Sequence, residues 1–387
     1  MRIGLFAWES LHSIPVGGVA VHVTELAAAL ERRKHEVHVF TRQGSGQSLY
    51  DRIDNVHYHR CPFAFSPNFV DEVNNMCRSF VKSCFEVEDF VGGFDILHAH
   101  DWLASNAVVW AKEGRRRKAV LTMHSTEYGR NGNRFYGGNA PRVQDHERHG
   151  TYCADRVITV SNQLKGEVQW LYNVPEQKVS VVYNGVNARA FDYGVDTGEV
   201  KRRYAVAPLD PMVLFVGRLV GQKGPDILVR AIPHVLKHYG NAKFVFAGDG
   251  YMRSELYCLA QNLRVGHAIR LVGHKSGREL ADLFKASDLL AVPSRNEPFG
   301  IVILEAWSAE KPVVSTKRGG PLEFVWHEVN GLQVDDTIDS VAWGLGTLLA
   351  DYSHRCWMGR NGRAAVDAVF SWDSIAEQTE GVYQAVA

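Results

Sequence analysis

Short runs of β-branched and aliphatic residues alternate with stretches of helical periodicity along most of this chain, and that alternation restricts the fold to parallel sheets covered by helices. In the first half, the strand candidates are residues 2–8, 36–41, 56–61, 96–100, 119–125, 156–161 and 179–183. Between the first two, Val19, Val23, Leu26, Ala27 and Leu30 fall on one helical face that ends in the basic "ERRK", where the helix dipole favours cations. After Asn187 the pattern lapses into the polar, turn-rich "ARAFDYGVDTGEVKRRYAVAPLDP", which marks a domain boundary. A second series follows, with strands expected at 212–217, 243–247, 269–273, 289–293 and 312–316 and helices such as 226–238 and 278–286. The expected class is therefore α/β, with two Rossmann-like domains at 1–190 and 209–368, a linker at 191–208, and a terminal helix at 369–387 packing back toward the first domain. A length of 387 residues suits two hydrophobic cores. Ligands in such sheets lie beyond the carboxyl ends of the strands, and two sheets facing each other place a central cleft there.

Charge narrows the partners. Lysine plus arginine and aspartate plus glutamate both number 43, so neither nucleic acid nor an anionic membrane gains bulk electrostatic support. The one dense basic cluster, "KEGRRRK" at 112–118, reads as a solvated helix end. No apolar stretch approaches the ~18 residues of a spanning helix. "MRIGLFAWES" reads as a first strand and not as a signal peptide, so a cytoplasmic location is expected. The six cysteines are scattered without a CxxC pair, which suits reduced thiols filling the cores.

The polar residues with chemistry to offer sit just after strands. "PVGGVAVHV" follows the first one, and Gly17 and Gly18 either make a tight turn or let backbone amides at a helix start approach an anion. "FVGRLVGQKG" supplies Arg218 and Lys223, a planar fork of donors and a mobile point charge, as a diphosphate clamp would need. "LLAVPS" reads as strand, "RNEP" as turn and "FGIVILEAW" as helix, so the first free amides are expected at Phe299, Gly300 and Ile301. Glu297 stands before this helix and Glu305 inside it. A carboxylate accepts two hydrogen bonds from a vicinal diol, the group that both a ribose and a hexose display, and a nucleotide sugar carries both.

In combination these motifs resemble the retaining glycosyltransferases of family 4, of GT-B fold: the E-x7-E spacing of Glu297 and Glu305, "GRL" with "KG" at Arg218 and Lys223, the early "GG", and "HAHDW" at 98–102. "HAHDW" and "HSTEYGRNGN" are similar to the glycogen and α-glucan synthase branch. The resemblance implies that Arg218 and Lys223 hold the donor diphosphate, with Gly17 and Gly18 facing it from the other lobe. It implies Glu305 on the ribose, Glu297 with the amides of Phe299 and Gly300 on the transferred sugar, and Pro298 and Ile301 among the donor-binding residues. His124 matches the family histidine beside the anomeric carbon, acting by ring or by backbone carbonyl. Gly273 and His274 lie where the base is held. Asp101, Arg130 and Asn131 match acceptor-side positions, although Asp101 is equally suited to cap the helix that begins at Trp102.

The reaction so implied moves a hexose, glucose favoured, from ADP-glucose, UDP-glucose or GDP-mannose to a hydroxyl of a saccharide or other acceptor. Two cations and a helix N-terminus would carry the leaving charge, so no cofactor and no metal are expected, in keeping with the absence of an Asp-x-Asp motif. His98 with His100, or His146 with His149, could chelate, but neither pair has an evident third ligand. No complete GxGxxG supports a dehydrogenase. A nucleotide-sugar 2-epimerase or a noncatalytic sugar-nucleotide or glycan-binding homologue would share the scaffold, and a phosphorylase would need a pyridoxal lysine.

Overall fold

A computed structural model describes residues 1–386, and the chain divides into two compact units. The first comprises Met1–Arg130, Arg134–Asn184 and the chain from Trp372 onward; the second comprises Asn131–Asn133 and Gly185–Ser371.

The first unit holds β1 (Arg2–Phe6), β2 (Glu36–Arg42), β3 (Tyr50–Ile53), β4 (Val56–Cys61), β5 (Ile96–His100), β6 (Lys118–Met123), β7 (Arg156–Thr159) and β8 (Val179–Val181). Their order is β3-β4-β2-β1-β5-β6-β7-β8. Every pairing is parallel except that of β3 with β4, and Ile3 stands opposite both Val37 and Ile96. The helix Gly18–Arg32 buries Val23, Leu26, Ala27 and Leu30, as its periodicity requires. The terminal helix Trp372–Gln384 adds Trp372, Ile375, Ala376 and Tyr383 to the same core. Ion pairs Arg32–Asp373 and Arg33–Glu380, both 2.6 Å, fasten it to the Gly18–Arg32 helix.

The second unit holds β9 (Met212–Val216), β10 (Lys243–Ala247), β11 (Ile269–Gly273), β12 (Leu289–Val292), β13 (Val313–Thr316) and β14 (Gly331–Val334), all parallel, in the order β11-β10-β9-β12-β13-β14. This is the doubly wound order, and the order reverses between β9 and β12, as it does between β1 and β5.

Several local expectations need correction. The β3–β4 hairpin turns through Asp54 and Asn55, both at positive φ, a two-residue turn whose twist suits paired strands; it escapes a search for alternating parallel units. β14 is only four residues long and also escapes it. The region expected to be a linker contains a helix, Thr197–Arg203, capped by Asp196 and burying Val200. Cys61, Cys77 and Cys84 are buried, but Cys153 and Cys356 are half-buried and Cys258 is exposed, so not all six thiols fill cores. Three of the five cations in the basic cluster are paired, Lys112 with Asp155, Arg115 and Arg117 with the buried Glu88, while Arg116 and Lys118 are exposed.

Candidate active site

In the second unit two loops, after β9 and after β12, are locked together. The loop after β9 ends in a 3-10 turn, Gly221–Lys223, closed by Gly224 at φ +63°. A Cβ on Gly224 would lie 2.1 Å from the carbonyl oxygen of Pro293, so glycine lets this loop press against the end of β12. Arg295 then ties the loops: its guanidinium donates to the Gly221 carbonyl at 2.8 Å and to both carboxylate oxygens of Asp226 at 2.8 and 2.7 Å.

On this platform Lys223 Nζ lies 2.8 Å from each carboxylate oxygen of Glu297, and Ser294 Oγ donates to the same group at 2.9 Å. Glu297 is buried. Its carbonyl oxygen accepts from the Gly320 N–H at 2.8 Å, and a Cβ on Gly319 would come within 2.0 Å of that oxygen. The carboxylate is thus fixed by its own backbone, by a hydroxyl and by a cation. Arg218, by contrast, is exposed, and its guanidinium has no hydrogen bond or ion pair among the described residues.

The following helix is Ile301–Ser308, with Gly300 in the left-handed region at φ +97° as its N-cap and no acidic residue in its first turn. It begins later than expected: the first helical amides are those of Ile301 and Val302, while Phe299 is buried with its ring 5.0 Å from that of Phe324. Pro298 has no N–H to offer. Glu305 is partly open to solvent and its carboxyl makes no hydrogen bond among the described residues, and burial pushes that carboxyl up to about 7. A carboxyl flanked by Leu304, Ala306 and Trp307 and left without a partner is a group with binding capacity to spare. At the end of β11, the Gly273 carbonyl accepts from the Gly248 N–H at 2.8 Å and the His274 N–H donates to Asp249 at 3.2 Å.

The first unit gathers its polar residues after β1, β5 and β6. The Gly17 N–H, expected to face an anion, is bonded at 2.5 Å to Glu9, whose carboxylate also accepts from the Val16 N–H at 2.7 Å. Gly18 begins the helix. Asp101 occupies the N-cap position of the helix Trp102–Arg115, yet its side chain does not cap that helix. Instead its carboxylate accepts from the backbone N–H groups of His124 at 2.8 Å and Ser125 at 3.3 Å, while its backbone stands at φ +60°, ψ 176°, a region glycine alone adopts easily. The His124 ring stands 3.2 Å from His100 (Nε2 to Nδ1), and burial pushes it down to about 3, so it is neutral at physiological pH. Arg130 is committed to Glu127, Glu147 and the Ser125 hydroxyl. Asn131 falls in the second unit. Of the expected chelating pairs, His98 is fully engaged by Tyr383 and Thr122, both at 2.7 Å, and His146 lies near Asn106. The residues that sequence reasoning missed are Glu9, three residues past the end of β1, Ser294 and Arg295, each within two residues of the end of β12 or of Glu297, and His22.

Two doubly wound units with charged and glycine-rich loops at the carboxyl ends of their strands define a GT-B glycosyltransferase. The family described as Glycosyltransferase Family 4 matches residues 16–190, and that described as Glycosyl transferases group 1 matches residues 196–365. An uncharacterized glycosyltransferase of Methanocaldococcus jannaschii is 38% identical over 388 residues, covering 99% of this chain and 98% of that one. A D-inositol 3-phosphate glycosyltransferase of Xylanimonas cellulosilytica is 31% identical, with 97% and 95% covered. A glycogen synthase of Mycobacterium tuberculosis is 27% identical, with 100% and 95% covered. Among solved structures, a sucrose-phosphate synthase from Thermosynechococcus elongatus superposes with a TM-score of 0.83 at 24% identity over 99% of this chain and 98% of that one. Anabaena HepE in complex with UDP-glucose does so with 0.79 at 21%, with all of both chains covered. The chain belongs to this family of glycosyltransferases. Among the described residues no helix is long and apolar enough to cross a membrane.

Proposed function

We propose that this glycosyltransferase moves a hexose, glucose favoured, from a nucleoside diphosphate sugar to a hydroxyl of a saccharide acceptor, with retention and without a divalent metal. The observation that carries the reading is the Lys223–Glu297 pair, with the unpaired side chain of Arg218 on the same loop as Lys223, at the point where the second sheet reverses its order. Arg218 supplies a full positive charge to the diphosphate, and Lys223, shared with Glu297, bridges the diphosphate to the group that recognises the sugar. Glu305, with no internal partner, accepts from the ribose diol. Backbone groups at Gly300 and Ile301 add the positive end of a helix. The relative crystallised with UDP-glucose makes that donor the first to test, with ADP-glucose and GDP-mannose beside it.

In this mechanism the bond between the anomeric carbon and the phosphate oxygen breaks first, and charge gathers on the departing nucleotide. The acceptor hydroxyl then bonds to that carbon on the same face and its proton passes to the leaving phosphate. No protein nucleophile is needed, so positioning and charge supply the catalysis. A neutral His124 has a lone pair and a carbonyl to offer a carbon with cationic character, and is not an imidazolium acid.

The test is incubation with radiolabelled donors and a panel of saccharides. Label transferred to an acceptor is expected. Epimerised donor, or binding without turnover, would overturn the reading. Thermal shift with each donor identifies the base, since a ligand at ~100 times its dissociation constant adds about 2.7 kcal/mol.

A further inference from the structure

We propose that His22, His100 and His124 form a binding site for a divalent transition-metal ion of the zinc class, and that its occupancy opposes sugar transfer. The second clause rests on the reading of His124 given above; the first does not.

The three residues come from three elements: the helix Gly18–Arg32, the last position of β5, and the residue after β6. One ring nitrogen of each lies within 4.8 Å of the other two. Ring centroids are 4.5 Å apart for His22 and His124, 5.2 Å for His22 and His100, and 5.5 Å for His100 and His124. With metal–nitrogen bonds of about 2.0–2.1 Å, a tetrahedral ion holds its nitrogens about 3.3 Å apart. The His100 Nδ1 to His124 Nε2 separation of 3.2 Å already has that value. Only His22 has to close in, from no more than 4.8 Å, a movement within the range of side-chain torsions.

The chemistry favours an ion over a mere packing of rings. His22 and His100 are 4% and 1% exposed, and the Nε2 atom of each is buried without a hydrogen-bond partner. Such orphans are uncommon in folded proteins and costly, and a metal ion would use the lone pair of His22 Nε2, with His100 ligating through Nδ1. His22 Nδ1 lies 2.6 Å from the Asn184 side-chain oxygen. That oxygen accepts the Nδ1 proton, which leaves Nε2 as the lone-pair nitrogen; a metal-binding histidine is commonly held this way by its second nitrogen. Burial also keeps all three rings neutral near pH 7, the form that binds metal. Three imidazoles without a carboxylate suit zinc, cobalt, nickel or copper and not magnesium or calcium, and they leave a fourth position open. His124 is the partly exposed member, so the ion enters from its side. Once there, it takes a lone pair of His124 and sets two positive charges beside the carbon that must itself become cationic, which is why transfer is opposed.

The test uses untagged protein stripped with EDTA and then titrated with Co²⁺ as a spectroscopic probe, with X-ray absorption at the zinc edge on the Zn²⁺-loaded wild type. One ion per chain, tetrahedral visible absorption, and three imidazoles with no sulfur in the first shell are expected. His22→Gln should abolish binding, and Asn184→Ala should weaken it by about 10- to 100-fold. A second cluster, Glu113, His149 and Cys153, is the internal competitor, so His149→Ala/Cys153→Ala should leave binding intact. Sulfur in the first shell, loss of binding in the His149/Cys153 variant, or no uptake of Co²⁺ or Zn²⁺ at micromolar concentration would overturn the site. Should His22→Gln not fold, the wild-type ligand count decides alone. Zn²⁺ should inhibit transfer and EDTA should restore it. An ion bound by the three histidines without any effect on turnover would remove the inhibitory role only, and ion binding in a protein inactive with every donor would remove the transferase reading and leave the site standing.

Discussion

Lys223 Nζ stands 2.8 Å from both carboxylate oxygens of Glu297, although the two residues are 74 positions apart in the chain. A cation expected to serve the diphosphate and a carboxylate expected to serve the sugar are therefore one unit. Arg218 is left as the cation with no internal counter-charge. The two basic residues should then fail differently. Arg218→Ala and Lys223→Ala should each lower kcat/KM by roughly 100-fold or more, the scale of losing one preorganised charge partner. Only Lys223→Ala strands the buried Glu297 carboxylate, so it alone should also destabilise the fold, by roughly 3 kcal/mol. Denaturant unfolding beside donor kinetics checks both halves; equal stability of the two variants would mean that the pair is incidental.

The two carboxylates divide the donor between them. Glu305→Gln should weaken the donor and the free nucleoside diphosphate alike, by about 10- to 150-fold, because both contain the ribose and a charged hydrogen bond is worth about 1.5–3 kcal/mol. Glu297→Gln should spare nucleoside diphosphate affinity yet cut turnover, since the product nucleotide lacks the sugar. Calorimetry with nucleoside diphosphate decides it: equal losses in the two variants would end the division of labour.

Much of this was legible in the chain, for identifiable reasons. Parallel strands buried on both faces read as β-branched runs, so twelve of the strands show themselves and Arg218, Lys223, Glu297 and His124 fall after strands as expected. What stays hidden is set by contacts across the chain. Nothing local in "GQKG" says that Gly224 packs on Pro293 or that Lys223 reaches Glu297. "HAHDW" offers Asp101 as a helix cap, and only the meeting of β5 with β6 shows its carboxylate holding the backbone of His124. The histidine trio escapes spacing rules altogether, because its members sit on a helix and two strand ends. The β3–β4 hairpin is the exception, since the pair Asp54–Asn55 was a readable turn signal.

Glu305 gives a pH dependence with a definite sign. Its carboxyl is raised by burial from an ordinary 4.5 to about 7 in the folded protein. A group raised in this way favours the folded state fully below its unfolded value, and that contribution is lost as pH climbs from about 4.5 through about 7. The wild type should therefore lose stability relative to Glu305→Gln across that window, and the two curves should run parallel above it. Over the same range the carboxylate form grows, so donor affinity of the wild type should rise toward pH 8 while that of the variant stays level. Unfolding curves and donor titrations at pH 5, 6, 7 and 8 provide the check; a flat difference would show that Glu305 ionises normally.

Chelation separates the two metal statements. If Arg218, Lys223 and the Ile301–Ser308 helix start supply the leaving-group charge, exhaustive EDTA treatment should leave transfer undiminished, and should raise it in preparations that carry Zn²⁺. A loss of activity that Mg²⁺ or Mn²⁺ restores would assign the diphosphate to a metal after all.

Asp101 allows backbone strain to be separated from hydrogen bonding. At φ +60°, ψ 176°, it holds a conformation that costs an ordinary residue of order 1–3 kcal/mol, and it does so while accepting from the N–H groups of His124 and Ser125. Asp101→Ala keeps the strain and abandons both bonds. Asp101→Gly abandons the same bonds but removes the strain, so it should be the more stable of the two by about 1 kcal/mol or more. Asp101→Asn keeps an acceptor and should lie closest to the wild type in stability. Turnover should follow the bonds and not the strain: both Asp101→Ala and Asp101→Gly free the turn that carries His124 and should lower kcat well before they change KM, whereas Asp101→Asn should retain most of it. If Asp101→Gly were as active as the wild type, the carboxylate would have no part in placing His124, and its hold on the two backbone amides would be a matter of folding alone.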